Sequence, residues 1–196
     1  MTTLGSEIND NTLGRDVLEH NGWVYMVGQT DSLFSPNTGP IDAFIARFAL
    51  TGQLAAFSPF GKAGEDVAVA VYPPGSGSND LRVFSSAIND KNGTLSTVLN
   101  YFNRTDFFGY VPILLESSRN QYLKQVNQLN DSSFLLFTAL DNPLGSSKML
   151  TTLTVPGDFT KFSLDEMQQV GWSSPGSSEI RDMVGNYVLM NFYNFW

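Results

Sequence analysis

The chain has 196 residues, 42% hydrophobic, 13% aromatic and only 15% charged, and size scaling gives its 21.6 kDa about 9,000 Å² of folded surface against about 31,000 Å² unfolded, enough for a real core. Nineteen acidic against eleven basic side chains leave a net charge of -8 with no basic patch, which excludes nucleic acid and anionic lipid as expected partners. The absence of cysteine excludes thiolate nucleophiles, disulfides and thiolate metal sites, and no stretch approaches the roughly 20 apolar residues of a membrane span, so no membrane insertion is expected.

Residues 1–14 form an N-terminal segment, and Met1 to Asn11 have neither a positive n-region nor an apolar h-region, so no signal peptide is expected in the chain as given. From residue 15 onward, short apolar segments separated by turn residues repeat. Four of them, Trp23 to Gly28, Asp80 to Ser85, Phe134 to Thr138 and Tyr187 to Asn191, start 53 to 57 residues apart. Each follows another apolar segment: Arg15 to Leu18, Glu65 to Tyr72, Tyr122 to Val126 and Glu179 to Val184. The reversals between them are Asn21-Gly22, Pro73 to Asn79, Asn130 to Ser133 and Gly185-Asn186, residue types that tight turns select.

A second pair of segments completes each of the first three units. Asp42 to Phe48 and Gln53 to Phe57 flank the turn Thr51-Gly52. Leu95 to Phe102 precedes Tyr110 to Leu115, and Met149 to Val155 precedes Asp158 to Leu164 across Pro156-Gly157. Helical periodicity is absent except over Ser163 to Val170. Four antiparallel strands recurring every 50 to 60 residues predict an all-β chain, a β-propeller of four-stranded antiparallel blades with about three and a half blades. The boundaries fall at 15–64, 65–119, 120–178 and a partial unit at 179–196, with residues 1–14 available as a closing strand. The run Val67-Ala-Val-Ala-Val71 fits an innermost strand buried on both faces, its alanines filling the taper near an axis.

Residues 22 to 72 resemble the SBBP-type bacterial β-propeller repeat family, named for its seven-bladed propellers. The matching elements are Asn21 to Thr30, Asp42 to Phe48, Thr51-Gly52 and Phe60 to Val67. The later units depart from the pattern, with no glycine after Val83-Phe84. The resemblance implies a bacterial surface or secreted propeller that binds or scaffolds, with no particular activity attached. Glycine at 28 permits close backbone approach or a bulge, and Asp42 and Asp66 stand where a carboxylate accepts turn N–H groups.

Catalytic signals are weak. The one histidine, His20, precedes a turn, where a solvated side chain outweighs a catalytic one. No Gly-x-Ser-x-Gly elbow, Walker loop or His-Glu-x-x-His helix is present. Glu19, Asp31, Glu65, Asp66 and Glu116 are candidates for a carboxylate pair of a glycosidase, but nineteen acids produce such pairs by chance. Asp90-Lys-Asn92-Gly93-Thr94 alternates oxygen ligands as calcium loops do, yet lacks the later bidentate Glu and reads better as an Asn-Gly reversal. The expectation is no cofactor and no metal. The dense aromatic clusters Phe107-Phe108 and Phe192, Tyr193, Phe195 and Trp196 are the candidate partner-binding residues, weighed against blade packing.

Fourteen strands leave the last unit half complete, with unpaired N–H and C=O groups beside exposed rings. A protein partner or a second copy is expected to complete the propeller, since twice fourteen strands make seven units of four. The sequence thus points to a non-catalytic binding or assembly module, extracellular or on a bacterial cell surface, that engages protein partners through propeller edges and loops. The alternative is a carbohydrate-directed propeller, lectin or glycoside hydrolase, with a glycan as ligand.

Overall fold

Consecutive antiparallel hairpins account for every strand among the described residues. The computed structural model describes residues 11–31, 39–61, 64–88, 93–105, 109–115, 120–140, 147–154, 163–171, 178–181 and 187–190, with 109–115 and those from 140 onward described by backbone alone. The first sheet holds β1 (Thr12–His20), β2 (Trp23–Thr30), β3 (Asp42–Ala49) and β4 (Leu54–Phe60) in that order. The second holds β5 (Val67–Tyr72), β6 (Asp80–Ile88), β7 (Leu95–Asn103) and β8 (Gly109–Leu115). The third holds β9 (Gln121–Gln128), β10 (Ser133–Leu140), β11 (Ser147–Thr154) and β12 (Ser163–Gly171). A two-stranded sheet, β13 (Ser178–Arg181) with β14 (Tyr187–Met190), follows. The chain is all-β, and among the described residues its strands form antiparallel sheets of four, four, four and two. β1 takes in Thr12, Leu13 and Gly14, ahead of the boundary expected at 15.

Turn chemistry sets the hairpins. Asn21 and Gly22 have φ of 52° and 77°, the left-handed pair that a type I′ reversal requires, and they bring His20 opposite Trp23. Asp42 is buried at the start of β3 and accepts the Gly39 N–H at 3.0 Å, so its carboxylate closes a turn.

The segment Ser163 to Val170, the one stretch with helical spacing, is strand β12. Its pairing with β11 slips by one residue between Leu150 and Thr151, leaving Met167 as an extra residue. A bulge of this kind breaks strict alternation, and Leu164, Met167 and Val170 then stand three apart, imitating a helix.

The same device recurs throughout. In the first strand of each four-stranded sheet one residue is bulged out of register: Arg15 in β1, Val69 in β5 and Lys124 in β9. The fourth strands are bulged too, at Ala55 in β4, at Val111-Pro112 in β8 and at Met167 in β12. The two middle strands of each sheet pair without a slip. Bulges on both outer strands raise the twist of a sheet whose centre stays regular. Gly28 faces the first of them: a Cβ there would overlap the Leu13 carbonyl, so glycine alone lets the bulged strand approach.

The sheets stack through their first strands. β5 packs on β1, β2 and β3, and β9 packs on β5, β6 and β7. Tyr25, Val27, Ala43 and Ile45 of the first sheet meet Ala68, Val71, Leu81, Val83 and Phe102 of the second in one buried cluster. Ala70, Phe84, Leu99 and Tyr101 on the opposite face of the second sheet meet Leu123, Val126, Phe134 and Leu136 of the third. β5 is therefore at the edge of its own sheet and yet buried on both faces, which explains its run of Val and Ala.

Candidate functional site

Stacking in common register creates two distinct ends. At the end where the hairpins β1–β2, β5–β6, β7–β8 and β9–β10 turn, arginines tie neighbouring sheets together. Arg82, only 2% exposed near the start of β6, donates from Nε to the Pro73 carbonyl at 2.8 Å and from Nη1 to the Asp131 carbonyl. Its guanidinium lies 4.8 Å from the centre of the Phe134 ring, a cation–π contact inside the second-to-third sheet interface. The Asp131 carboxylate, 3.9 Å from Arg82 Nη2, accepts from the Ser76 N–H at 2.8 Å and from the Ser76 hydroxyl. Those Ser76 bonds, more than Arg82, hold the Asp131 carboxyl below the usual carboxylate range.

The first and second sheets are joined in the same way. Arg104, in the β7–β8 turn, donates to the Asn79 carbonyl at 3.0 Å and to Asn79 Oδ1 at 2.8 Å, while its Nη1 meets His20 Nε2 at 3.2 Å. Arg47 donates to the Arg104 carbonyl and stacks over the Trp23 ring at 4.8 Å. His20 is thus half-buried against a cation, where the sequence reading placed a solvated turn residue.

Burial and the neighbouring Arg104 lower the His20 pKa from 6.5, with Glu19 opposing them. A histidine with a depressed folded-state pKa contributes stability that is complete above its unfolded pKa and is lost as pH falls through the folded value. Stability should accordingly fall more steeply from pH 7 to pH 5 in the native chain than in His20→Gln. Urea midpoints at each pH measure this, and parallel profiles for the two proteins would contradict it.

The opposite end carries a cleft of about 570 Å³, within the range that small ligands occupy. All three first-strand bulges open onto it, through Arg15, Val69 and Lys124, at spacings of 54 and 55 residues. A bulge re-aims the side chain of its extra residue, and here three sheets re-aim theirs at one space. Glu65, Asn120 and Tyr122 also line it. Arg15 donates to Gln29 Oε1 at 2.9 Å, the Lys124 ammonium stands 5.5 Å from the centre of the Tyr122 ring, and Asn120 Oδ1 accepts the Leu95 N–H at 2.8 Å. Sequence reasoning passed over Arg15 and Lys124 as members of ordinary strands. Their near-constant spacing was the available signal.

The carboxylates singled out from sequence are dispersed. Glu65 lines the cleft, while Glu19 lies at the Asn21-Gly22 end, where its Oε1 accepts the Gly22 N–H at 3.4 Å. Asp31 is held by the Asn11 N–H at 2.6 Å and side-chain amide at 2.8 Å, which lower its pKa, and Asp66 is buried beside Gly61. Glu116, residues 90 to 92 of the Asn-Gly reversal, Phe107, Phe108, Phe192, Tyr193, Phe195 and Trp196 lie outside the described residues. Among the described residues no three His, Asp or Glu side chains come together as a metal site would need. Nor is any helix there long and apolar enough to cross a membrane. No protein-family model matches the chain, and no curated protein sequence matches it significantly.

Proposed function

We propose that the chain is part of a β-propeller of the SBBP type and acts as a non-catalytic binding or assembly module, extracellular or on a bacterial surface. One observation carries this reading. The second and third four-stranded sheets each lay a bulged first strand on the face of the sheet before, so the first strands β1, β5 and β9 follow one another side by side. Blades around an axis would place their first strands in this way, and the resemblance of residues 22 to 72 to the propeller repeat supports the same reading. The partner is a protein: an incomplete ring offers a sheet face and strand edges, the surfaces that other sheets pair with or cover. The aromatic residues Phe107, Phe108, Phe192, Tyr193, Phe195 and Trp196 are the side chains proposed to meet it.

A second reading, a carbohydrate-directed propeller, rests on the cleft. Tyr122 is 37% exposed there, beside Glu65, Asn120 and Lys124, an aromatic face with polar groups of the kind that sugars stack on. Light scattering on the purified chain together with a glycan array separates the two. Assembly predicts a mass above 21.6 kDa that drops on deleting Phe192 to Trp196. A monomer that binds glycans, and stops doing so in Tyr122→Ala, would replace the first reading by the second.

A further inference from the structure

We infer that the cleft where the three first strands meet binds a small monocarboxylate with an apolar body, its carboxylate held between Arg15 and Lys124. The inference goes beyond the assembly reading and needs only the three described sheets, not a closed ring.

The mouth of the cleft sets the charge of the ligand. Arg15 and Lys124 are exposed and stand at the matching bulge positions of β1 and β9, so two neighbouring sheets' outermost first strands each bring a cation to one space. Val69, at the bulge of β5 between them, adds no charge. Glu65, also exposed, is the one acidic side chain on the wall among the described residues, so two cations against one carboxylate leave a local charge of +1 in a chain of net charge -8. That balance favours a singly charged anion over a dianion.

The interior sets the rest. Ser86 lines the cleft at 5% exposed, and its hydroxyl oxygen accepts the Leu123 N–H at 3.0 Å, while its own proton has no acceptor among the described residues. Directly opposite it in the β6–β7 ladder, and so on the same face, Thr97 is 1% exposed with its hydroxyl unpartnered. Buried hydroxyls with a proton to give are costly, and an acceptor oxygen brought into the cleft relieves that cost. The remaining wall is aliphatic, from Val67, Val69, Ile88, Leu95 and Leu123. Against those side chains a polyhydroxylated body loses water without gaining partners, whereas a hydrocarbon body gains by covering them. A cationic mouth, hydroxyl donors and an aliphatic wall together fit a medium-chain or arylalkyl carboxylic acid, which separates this ligand from the neutral glycan of the second reading.

Octanoate, kept below its micelle concentration, is the probe, and amide chemical shifts of the full chain are the readout. Octanoate is expected to shift the amides of Ser86, Ile88, Leu95 and Leu123 saturably, with octanol and inorganic phosphate about tenfold weaker or worse, since each lacks one half of the ligand. Arg15→Gln combined with Lys124→Gln is expected to weaken octanoate about tenfold or more. Val71 should stay protected from hydrogen exchange in that variant, because its N–H donates to Asp16 Oδ2 at 2.9 Å between the first two sheets and reports their stacking. Octanol binding as tightly as octanoate would leave an apolar cavity without a carboxylate site and overturn the inference. Glucuronate binding more tightly than octanoate would overturn it in favour of an acidic sugar, and saturable shifts centred elsewhere, or none, would remove the site. Should the double variant lose Val71 protection, the comparison of octanoate with octanol on the native chain, and the position of its shifts, decides the matter alone.

Discussion

Replacing Arg82 by methionine is expected to lower the stability of the fold by about 3 to 5 kcal/mol, the cost of leaving the partners of a buried charge unserved. Methionine keeps most of the volume, so the loss isolates the polar part. The Pro73 and Asp131 carbonyls forfeit their donor, and the Phe134 ring forfeits the cation above it. Asp131→Ala should be much milder, because the bond from Arg82 Nη1 goes to the backbone oxygen, which that substitution retains. In a chain of this size the Arg82→Met loss is a fall in Tm of roughly 10 °C or more. Thermal unfolding of the two variants decides the matter: equal losses, or no loss at Arg82, would show that the guanidinium does not clamp the second sheet to the third.

Phe84→Ala is the second large effect, about 3 to 5 kcal/mol from lost burial and the cavity left behind. Phe84 and Phe134 are both fully buried, with ring centres 4.9 Å apart, and Tyr72 lies 6.0 Å from the first and 5.1 Å from the second. The Tyr72 hydroxyl in turn donates to the Val126 carbonyl at 2.6 Å, and burial pushes its pKa up to about 12. This aromatic cluster is the middle of the interface between the second and third sheets. Its removal should loosen β9 from β5, so that amides of Gln121–Gln128 exchange faster than those of β1 and β2. Uniform acceleration across all three sheets would contradict a role confined to that interface. A double-mutant cycle between Arg82 and Phe134 should show a coupling of about 0.5 kcal/mol or more, as contacting residues do.

Strand order was legible because turn chemistry is local. Asn21-Gly22 can hardly be anything but a two-residue reversal, and the recurrence of such signals every 50 to 60 residues yields the hairpin series. The bulges were not legible, since an extra residue simply looks like imperfect alternation. At Ser163 to Val170 that imperfection resembled a helix, and pairing with β11 decided otherwise. Arg82 was hidden for a different reason. An arginine in a strand reads as solvent-facing, and only the Pro73 and Asp131 carbonyls, 9 and 49 residues away, show why it is buried. The cleft is a product of three bulges on three sheets, a coincidence in space that no single segment announces.

A radial arrangement requires sheets that converge at their first strands and splay at their fourth. A chain with no native cysteine allows this to be measured by pulsed dipolar spectroscopy on two doubly labelled variants. Labels at Arg15→Cys and Lys124→Cys report the inner edges of the first and third sheets, and labels at Ala55→Cys and Met167→Cys report their outer edges. The predicted result is a much shorter inner distance than outer distance. Equal distances of roughly 20 Å at both edges, the spacing of three flat layers about 10 Å apart, would contradict the radial arrangement.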